Sequence, residues 1–265
     1  MNIYLHELKA IRKSTIIWTL SLIGIMAFFM SLLPTISSDA AEYTKVLQSY
    51  PEALRKALSI SIDTIASTVG FYSFTFLYIL LCGSIQAMNL GLSVLSKETR
   101  EKTADFLLTK PVPRTKIITS KILAALTSLV ITNIFYLAAA GIMAGAVSPE
   151  PFSWKIFYLI SVSMFFIQLI FLAMGVIISV VARKIKSVVP LSLCIVFSFL
   201  ILSMFGSIIG DKIVKYITPF KYFDTAYIIK NSAYDTKFLI ISAVFIVAAI
   251  IATYIIYSKK DIHAV

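Results

Sequence analysis

The chain has 265 residues, of which 59% are hydrophobic and only 14% are charged, whereas soluble domains carry roughly 25% charged residues. This composition, with a mean hydropathy of +0.91, excludes an ordinary soluble protein and indicates an integral membrane protein. The formal net charge is +11, but the basic residues of such a chain must first be placed relative to the bilayer, and we expect no nucleic-acid partner.

Six apolar segments are long enough to cross about 30 Å of hydrocarbon as helices. They lie at about residues 16–33, 71–95, 122–147, 156–182, 187–209 and 238–257. If the N-terminus is inside, 15 Lys and Arg residues fall on the cytoplasmic side and 9 on the outer side. The positive-inside rule therefore predicts that both ends are cytoplasmic. We predict an all-α integral membrane protein with one domain over residues 1–265.

The first outer segment, residues 34–70, carries apolar residues at three- and four-residue steps, the period of an amphipathic helix. Pro51 interrupts this pattern or starts it again, since proline suits the first turn of a helix. We expect helical structure around Pro51 that lies on the outer membrane surface or caps the bundle, with a plain loop helix as the alternative.

The second outer segment, residues 210–237, combines five lysines with six aromatic residues. Such a mixture is typical of the membrane–water interface. We expect short helices that enter the outer leaflet partway and break at Pro219.

The six spans as drawn contain no Asp, Glu, Lys, Arg or His. Proton-coupled carriers and intramembrane hydrolases need such groups at membrane depth, so both are disfavoured. The strongly polar groups are the amides of Gln86, Asn89, Asn133 and Gln168. They either line a substrate path or hydrogen-bond between helices, and the second interpretation is the favoured one.

No pattern for a metal, disulfide or nucleotide site is evident. The two cysteines fall in apolar runs and are expected to be small core residues. The nearest approach to a phosphate loop, residues 206–212, is one residue short and lacks Ser or Thr after its lysine. We therefore expect no catalytic residue, metal or cofactor in this chain.

Small residues recur on one face of the second span. Gly83, Ala87 and Gly91 lie four positions apart, a spacing that lets helix backbones approach closely. The pattern predicts tight helix packing, within one protomer or between two.

The segment 96–121 reads SKETREKTADFLLTKPVPRTKIITSK and holds seven basic and three acidic residues between two apolar runs. Ser96 can act as an N-cap, which predicts a short helix to about residue 109. Pro111 and Pro113 would end it. Such a helix could bind a cytoplasmic partner or simply lie under the membrane.

Three motifs in order carry a family resemblance. The charged loop shows Glu, then Thr, then paired leucines, then Pro-Val-x-Arg, with a lysine near the third span. The segments TPFKYFD at 218–224 and YSKKDI at 257–262 follow it. Over essentially its whole length the chain resembles the ABC-2 permease family of ATP-binding-cassette transporters.

This resemblance implies six helices per protomer, an N-terminal interfacial helix at residues 2–13 and re-entrant helices near residues 210–234. It also implies a cytoplasmic coupling helix at residues 96–109 that docks on a separate ATPase subunit. The implied contact residues are Glu98, Glu101, Thr103, Leu107 and Leu108, with Arg114 anchoring the exit. Lys102 stands where a glycine often precedes the threonine, which weakens the detailed assignment of contacts.

The function implied is that of a non-catalytic permease subunit in a bacterial plasma membrane. This chain is expected to bind neither ATP nor Mg²⁺ itself, because both belong to the ATPase partner. Two protomers, identical or different, would export a hydrophobic or amphipathic cargo (peptide, antibiotic or lipid) by alternating access. The alternatives are a non-transporting sensor or scaffold that recruits a partner through the same loop, and a passive channel. A membrane enzyme is the remotest reading because the spans are uncharged.

Overall fold

The computed structural model describes residues 3–58, 64–101, 113–182, 185–210 and 212–259, without the side chains of residues 97–101, 212 and 259. The described residues form helices and connecting turns. The α-helices are α1 Ile3–Ser31, α2 Leu33–Ser38, α3 Ala40–Ser49, α4 Glu52–Ala57, α5 Thr68–Glu101, α6 Arg114–Val147, α7 Trp154–Val181, α8 Val188–Ile209, α9 Lys212–Ile217, α10 Thr225–Asn231 and α11 Thr236–Lys259. A 3₁₀ turn, Pro219–Lys221, lies between α9 and α10.

Six of the described helical stretches are long and apolar enough to cross a membrane, and they contain α1, α5, α6, α7, α8 and α11. The predicted number of spans is therefore confirmed. Several helices extend beyond the apolar runs, because a helix continues along the chain until a proline or a capping residue ends it. Thus α6 begins at Arg114, directly after an extended Pro113. Helix α8 instead ends with its apolar run at Ile209, where Gly210 is the C-cap and has a φ of 74°, a left-handed conformation suited to glycine.

The N-terminal segment does not form a helix separate from the first span. One continuous helix, α1, runs from Ile3 to Ser31. The expectation of a distinct interfacial helix at residues 2–13 is therefore wrong for the described residues. The reason lies in the sequence around Lys13, which contains neither glycine nor proline to interrupt the helix.

The predicted helix start at Ser96 is also wrong. Helix α5 passes through this position and reaches Glu101. The Ser96 hydroxyl donates to the carbonyl oxygen of Leu92 at 2.5 Å, as serines inside helices commonly do. Residues 102–112, which hold the rest of the predicted coupling helix, lie outside the described part of the chain.

Two parallel helix pairs organise the bundle, and α1 with α6 forms the first. The hydroxyls of Thr15 and Ser128 are 2.6 Å apart, and those of Thr19 and Thr132 are 3.0 Å apart. Both contacts join residues 113 positions apart, so the two helices run in the same direction. This is the arrangement expected of the first and third spans in an alternating bundle.

Helices α5 and α7 form the second pair, held at short range by glycines. A Cβ placed on Gly91 would lie 2.5 Å from the carbonyl oxygen of Leu172 and 2.9 Å from the Cα of Gly175. A Cβ on Gly83 would lie 3.1 Å from the sulfur of Met164. The small-residue face therefore packs within one protomer, which confirms the first of the two arrangements predicted for it.

The outer segments are helical as expected. Helix α3 ends at Ser49 and α4 begins at Glu52, with Pro51 as the extended residue before its first turn. The restart at Pro51 is thus confirmed, although the proline is the cap rather than a residue of the first turn. Residues 59–63 of the same segment lie outside the described residues.

Between α8 and α11 the chain forms short helices around Pro219, as predicted. Aromatic rings fix this segment on the bundle, since Phe223 stacks on Phe166 with centroids 5.3 Å apart. The Tyr234 hydroxyl donates to the carbonyl oxygen of Leu159 at 2.6 Å, and burial raises the pKa of this tyrosine to about 12. Entry of these helices into the membrane stays a prediction.

Candidate coupling face and polar core

The two ends of the charged loop are the ends of two long helices. Glu98 and Glu101 belong to the last turns of α5, where a three-residue spacing places them on neighbouring positions of one face. Arg114 is the first residue of α6 and is partly buried. The side chains of both glutamates lie outside the part of the chain that the structure describes. Their contact with an ATPase stays a prediction.

Three of the predicted contact residues, Thr103, Leu107 and Leu108, lie outside the described residues. The structure therefore brings together only the helical attachments of the loop. These attachments are continuous with the second and third spans.

A buried ion pair lies near this loop, and the sequence analysis did not find it. The Lys121 ammonium is 2.9 Å from a carboxylate oxygen of Glu7, and the lysine side chain is 2% exposed. A small cavity of about 40 Å³ adjoins the pair and is lined by Leu90 and Ser93 of α5. The pair thus joins α1 to α6 where α5 passes beside them.

The only sequence signal for this pair was weak. Glu7 is the single acidic residue before the first span, and Lys121 is the last basic residue before the third. Their separation of 114 positions gives no local periodicity by which to match them.

Three of the four predicted amides meet in one network. The Asn133 amide donates to the side-chain oxygen of Gln168 at 2.6 Å, and Gln168 donates to Gln86 at 3.3 Å. Gln86 donates in turn to the Thr132 hydroxyl at 3.0 Å, which contacts Thr19. All three amides are at most 5% exposed, so within one protomer they bridge α5, α6 and α7.

The fourth amide stands apart from this network. Asn89 is partly buried, and its side-chain oxygen accepts from the Ser192 hydroxyl of α8 at 2.8 Å. Among the described residues, the buried side-chain oxygen of Asn133 finds no hydrogen-bond partner. This geometry favours the helix-bridging interpretation of the amides, and their exposure to a translocation path stays a prediction.

A second buried polar cluster was not predicted. The Tyr72 hydroxyl lies 2.7 Å from that of Tyr136 and 2.8 Å from that of Ser161. All three residues are fully buried, and they again connect α5, α6 and α7. Tyrosines in apolar runs gave no signal of mutual contact, since their partners are far apart in the sequence.

Among the described residues no group of three or more His, Cys, Asp or Glu side chains could hold a metal ion. Cys82 and Cys194 are both free thiols on different helices. The polar groups at hand are amides, hydroxyls and one buried ion pair, which serve to join helices.

Comparison with known families decides what this architecture belongs to. The family described as ABC-2 family transporter protein matches residues 1–262. The chain is a member of the ABC-2 transporter family. No curated protein matches the sequence. An ABC-2 permease is a multi-pass membrane transport subunit of an ABC transporter, generally without catalysis of its own, and family membership implies association with an ATP-binding subunit.

Proposed function

We propose that this ABC-2 permease is the membrane subunit of an ATP-driven exporter in a bacterial plasma membrane. Two permease protomers, identical or different, would enclose the path, and two separate ATPase chains would bind ATP and Mg²⁺. Closure of the ATPases on ATP would act through the loop at residues 96–121 and convert the path from inward to outward access. The cargo would be hydrophobic or amphipathic, such as a peptide, an antibiotic or a lipid.

The observation that carries this proposal is family membership over nearly the whole chain, together with a charged loop attached to two uninterrupted helices. Helix α5 has 34 residues, which at 1.5 Å per residue is about 51 Å. The hydrocarbon core is only about 30 Å thick. The helix is therefore long enough to extend out of the membrane towards Glu98 and Glu101.

The packing of the bundle supports a mechanical role. A displacement of residues 102–112 would reach α5 at one end and α6 at the other. Each of these helices is packed in parallel against another long helix, α7 and α1 respectively. A force on the loop would therefore move two helix pairs and not a single span.

The outer helices of the bundle leave room for a second protomer. Helix α11 is the least buried of the six spans, and α8 is buried no more than α1. Both carry exposed side chains such as Ile201 and Val247. These faces can contact lipid or another permease chain. Their exposure supports assembly with a partner protomer and does not by itself choose its identity.

The test uses the permease reconstituted with the ATPase that co-purifies with it. Glu98→Ala with Glu101→Ala should abolish most ATP-driven export and uncouple ATP hydrolysis from cargo. The matched control is Glu42→Ala with Glu52→Ala, which removes two acidic residues from the exposed outer helices α3 and α4. The control should leave export unchanged.

Two results would contradict the proposal. Export at the wild-type rate in the Glu98/Glu101 double variant would rule out this coupling surface. Co-purification of a partner without any nucleotide-dependent movement of hydrophobic probes would favour the sensor or scaffold alternative instead.

A further inference from the structure

An open cavity of about 210 Å³ lies at the C-terminal end of α8, on the side predicted to face outward. Its lining includes Gly206 and Gly210 of α8 and the side chains of Lys215, Lys221 and Asp224. The cavity lies outside the amide network and away from the charged loop. Nothing in the proposed coupling mechanism uses it.

Two lysines, Lys215 and Lys221, line this cavity together with one described carboxylate, that of Asp224. Burial lowers the pKa of Lys221; the nearby Asp224 carboxylate raises it, and the Lys215 ammonium lowers it again. Within the described residues neither lysine forms an ion pair with a carboxylate. Lys215 does lie over the Phe238 ring, with its nitrogen 5.0 Å from the ring centroid.

The carboxylate of Asp224, the acidic member of the described lining residues, already has a structural role. An oxygen of Asp224 accepts from the backbone N–H of Ala226 at 2.9 Å and caps α10. The described lining residues therefore carry two positive charges and one negative charge, and the negative charge also caps α10. An anion placed between the lysines would relieve their repulsion.

The surface beside the cavity is apolar and exposed. Ile209, 73% exposed, directly precedes the lining residue Gly210, and Ile213, 65% exposed, directly precedes the lining residue Val214. Tyr216 and Ile217 of α9 are exposed as well. A basic cavity next to such a surface matches a ligand with an anionic head and a hydrocarbon tail. Lysines near the membrane surface attract anionic lipids at about 1 kcal/mol each, which is about fivefold in affinity.

We propose that this cavity binds the phosphate of an anionic phospholipid, with Lys215 and Lys221 donating to phosphate oxygens and the acyl chains lying along Ile209 and Ile213. Phosphate is the shared chemistry, and a lipid headgroup or free phosphate could supply it. The apolar surface assigns the lipid. This proposal is independent of the proposed ATPase coupling, and the failure of one would not contradict the other.

The experiment measures lipid binding to the full-length permease in detergent by native mass spectrometry. Phosphatidylglycerol is titrated against phosphatidylcholine with the same acyl chains, and inorganic phosphate is added as a competitor. Phosphatidylglycerol should bind saturably and at least fivefold more tightly than phosphatidylcholine. Inorganic phosphate should compete only weakly, because it lacks the apolar contacts.

The variants separate a binding site from a folding effect. Lys215→Gln and Lys221→Gln should each weaken phosphatidylglycerol binding about fivefold, whereas Lys230→Gln, an exposed lysine of α10 outside the cavity, should not. Asp224→Asn keeps a good helix cap and removes the opposing charge, so binding should become tighter, a gain that an unfolded variant cannot produce.

Three outcomes would overturn the proposal. The first is equal binding of the two lipids, and the second is wild-type binding by both cavity lysine variants. The third is displacement of phosphatidylglycerol by inorganic phosphate at a concentration equal to that of the lipid. This result would assign free phosphate as the ligand and reject the phospholipid.

Discussion

The Lys121 ammonium and the Glu7 carboxylate lie 2.9 Å apart, although 114 positions separate the two residues. Lys121 is buried, and Glu7 keeps 16% of its side chain exposed. The pair joins α1 to α6 near the charged loop. Removing one partner from a buried pair is costly because the other charge stays buried and loses that counter-ion.

Glu7→Gln should therefore lower the free energy of unfolding by about 3 kcal/mol, the lower end of the range for buried pairs because Glu7 is partly exposed. Thermal unfolding of the purified permease in detergent measures this loss. Glu7→Gln combined with Lys121→Met removes both charges of the pair and should recover part of the stability. The control is Glu52→Gln, which breaks the exposed Glu52–Lys56 pair and should change little. A double variant less stable than Glu7→Gln would contradict this account.

Gly91→Ala should destabilise the bundle although alanine favours helices. Its Cβ would lie 2.5 Å from the Leu172 carbonyl oxygen, so α5 and α7 must separate, at about 1–3 kcal/mol as for other overpacked sites. Gly24→Ala is the matched control, since a Cβ there meets nothing within 4 Å and should be neutral or stabilising. The measurement is the unfolding temperature of each variant, which should be lower for Gly91→Ala than for Gly24→Ala. Equal unfolding temperatures would show that α5 and α7 do not pack this closely.

The amide network should appear as an energetic coupling between Asn133 and Gln168. A double-mutant cycle with Asn133→Leu and Gln168→Leu should give about 0.6 kcal/mol and at most about 1.7 kcal/mol, the range for hydrogen bonds between membrane helices. A second cycle with Gln168→Leu and Ser192→Ala should give a value near zero, because Ser192 bonds to Asn89 outside the network. Equal coupling in both cycles would mean that the network does not act as a unit.

The orientation of the bundle is open to direct labelling. In a variant with both native cysteines replaced, Ser49→Cys on α3 should react with a membrane-impermeant thiol reagent in intact cells. Thr115→Cys near the start of α6 should react only after the membrane is permeabilised, and both positions are exposed. The reverse pattern would invert the predicted topology.

The number of spans, the restart at Pro51 and the close packing of the second span were predictable because each rests on local chemistry. Hydropathy over about 20 residues, the fixed φ of proline and the absence of a side chain at Gly91 can each be read from one continuous segment of the sequence. The partner of that glycine was not predictable, since Gly175 lies on another helix and nothing in the sequence around it indicates a contact with Gly91.

Ser96 shows where local chemistry is ambiguous. A serine can cap a helix or satisfy its hydroxyl on the carbonyl four residues before it, and the same sequence permits both. The apolar helix N-terminal to it decides in favour of continuation. The Glu7–Lys121 pair was missed for a different reason, because its existence depends on how the first and third spans pack.

The length of α5 has a mechanical consequence when combined with its glycine contact. Gly91 touches α7 ten positions before the helix ends at Glu101, which leaves an arm of about 15 Å on one side of the contact. The longer arm runs the other way to Thr68. Because Gly83 and Tyr72 on the longer arm also contact α7, α5 cannot turn on α7 at Gly91 alone. A sideways push on the short arm would therefore tilt α5 and α7 together, as one lever made of two helices.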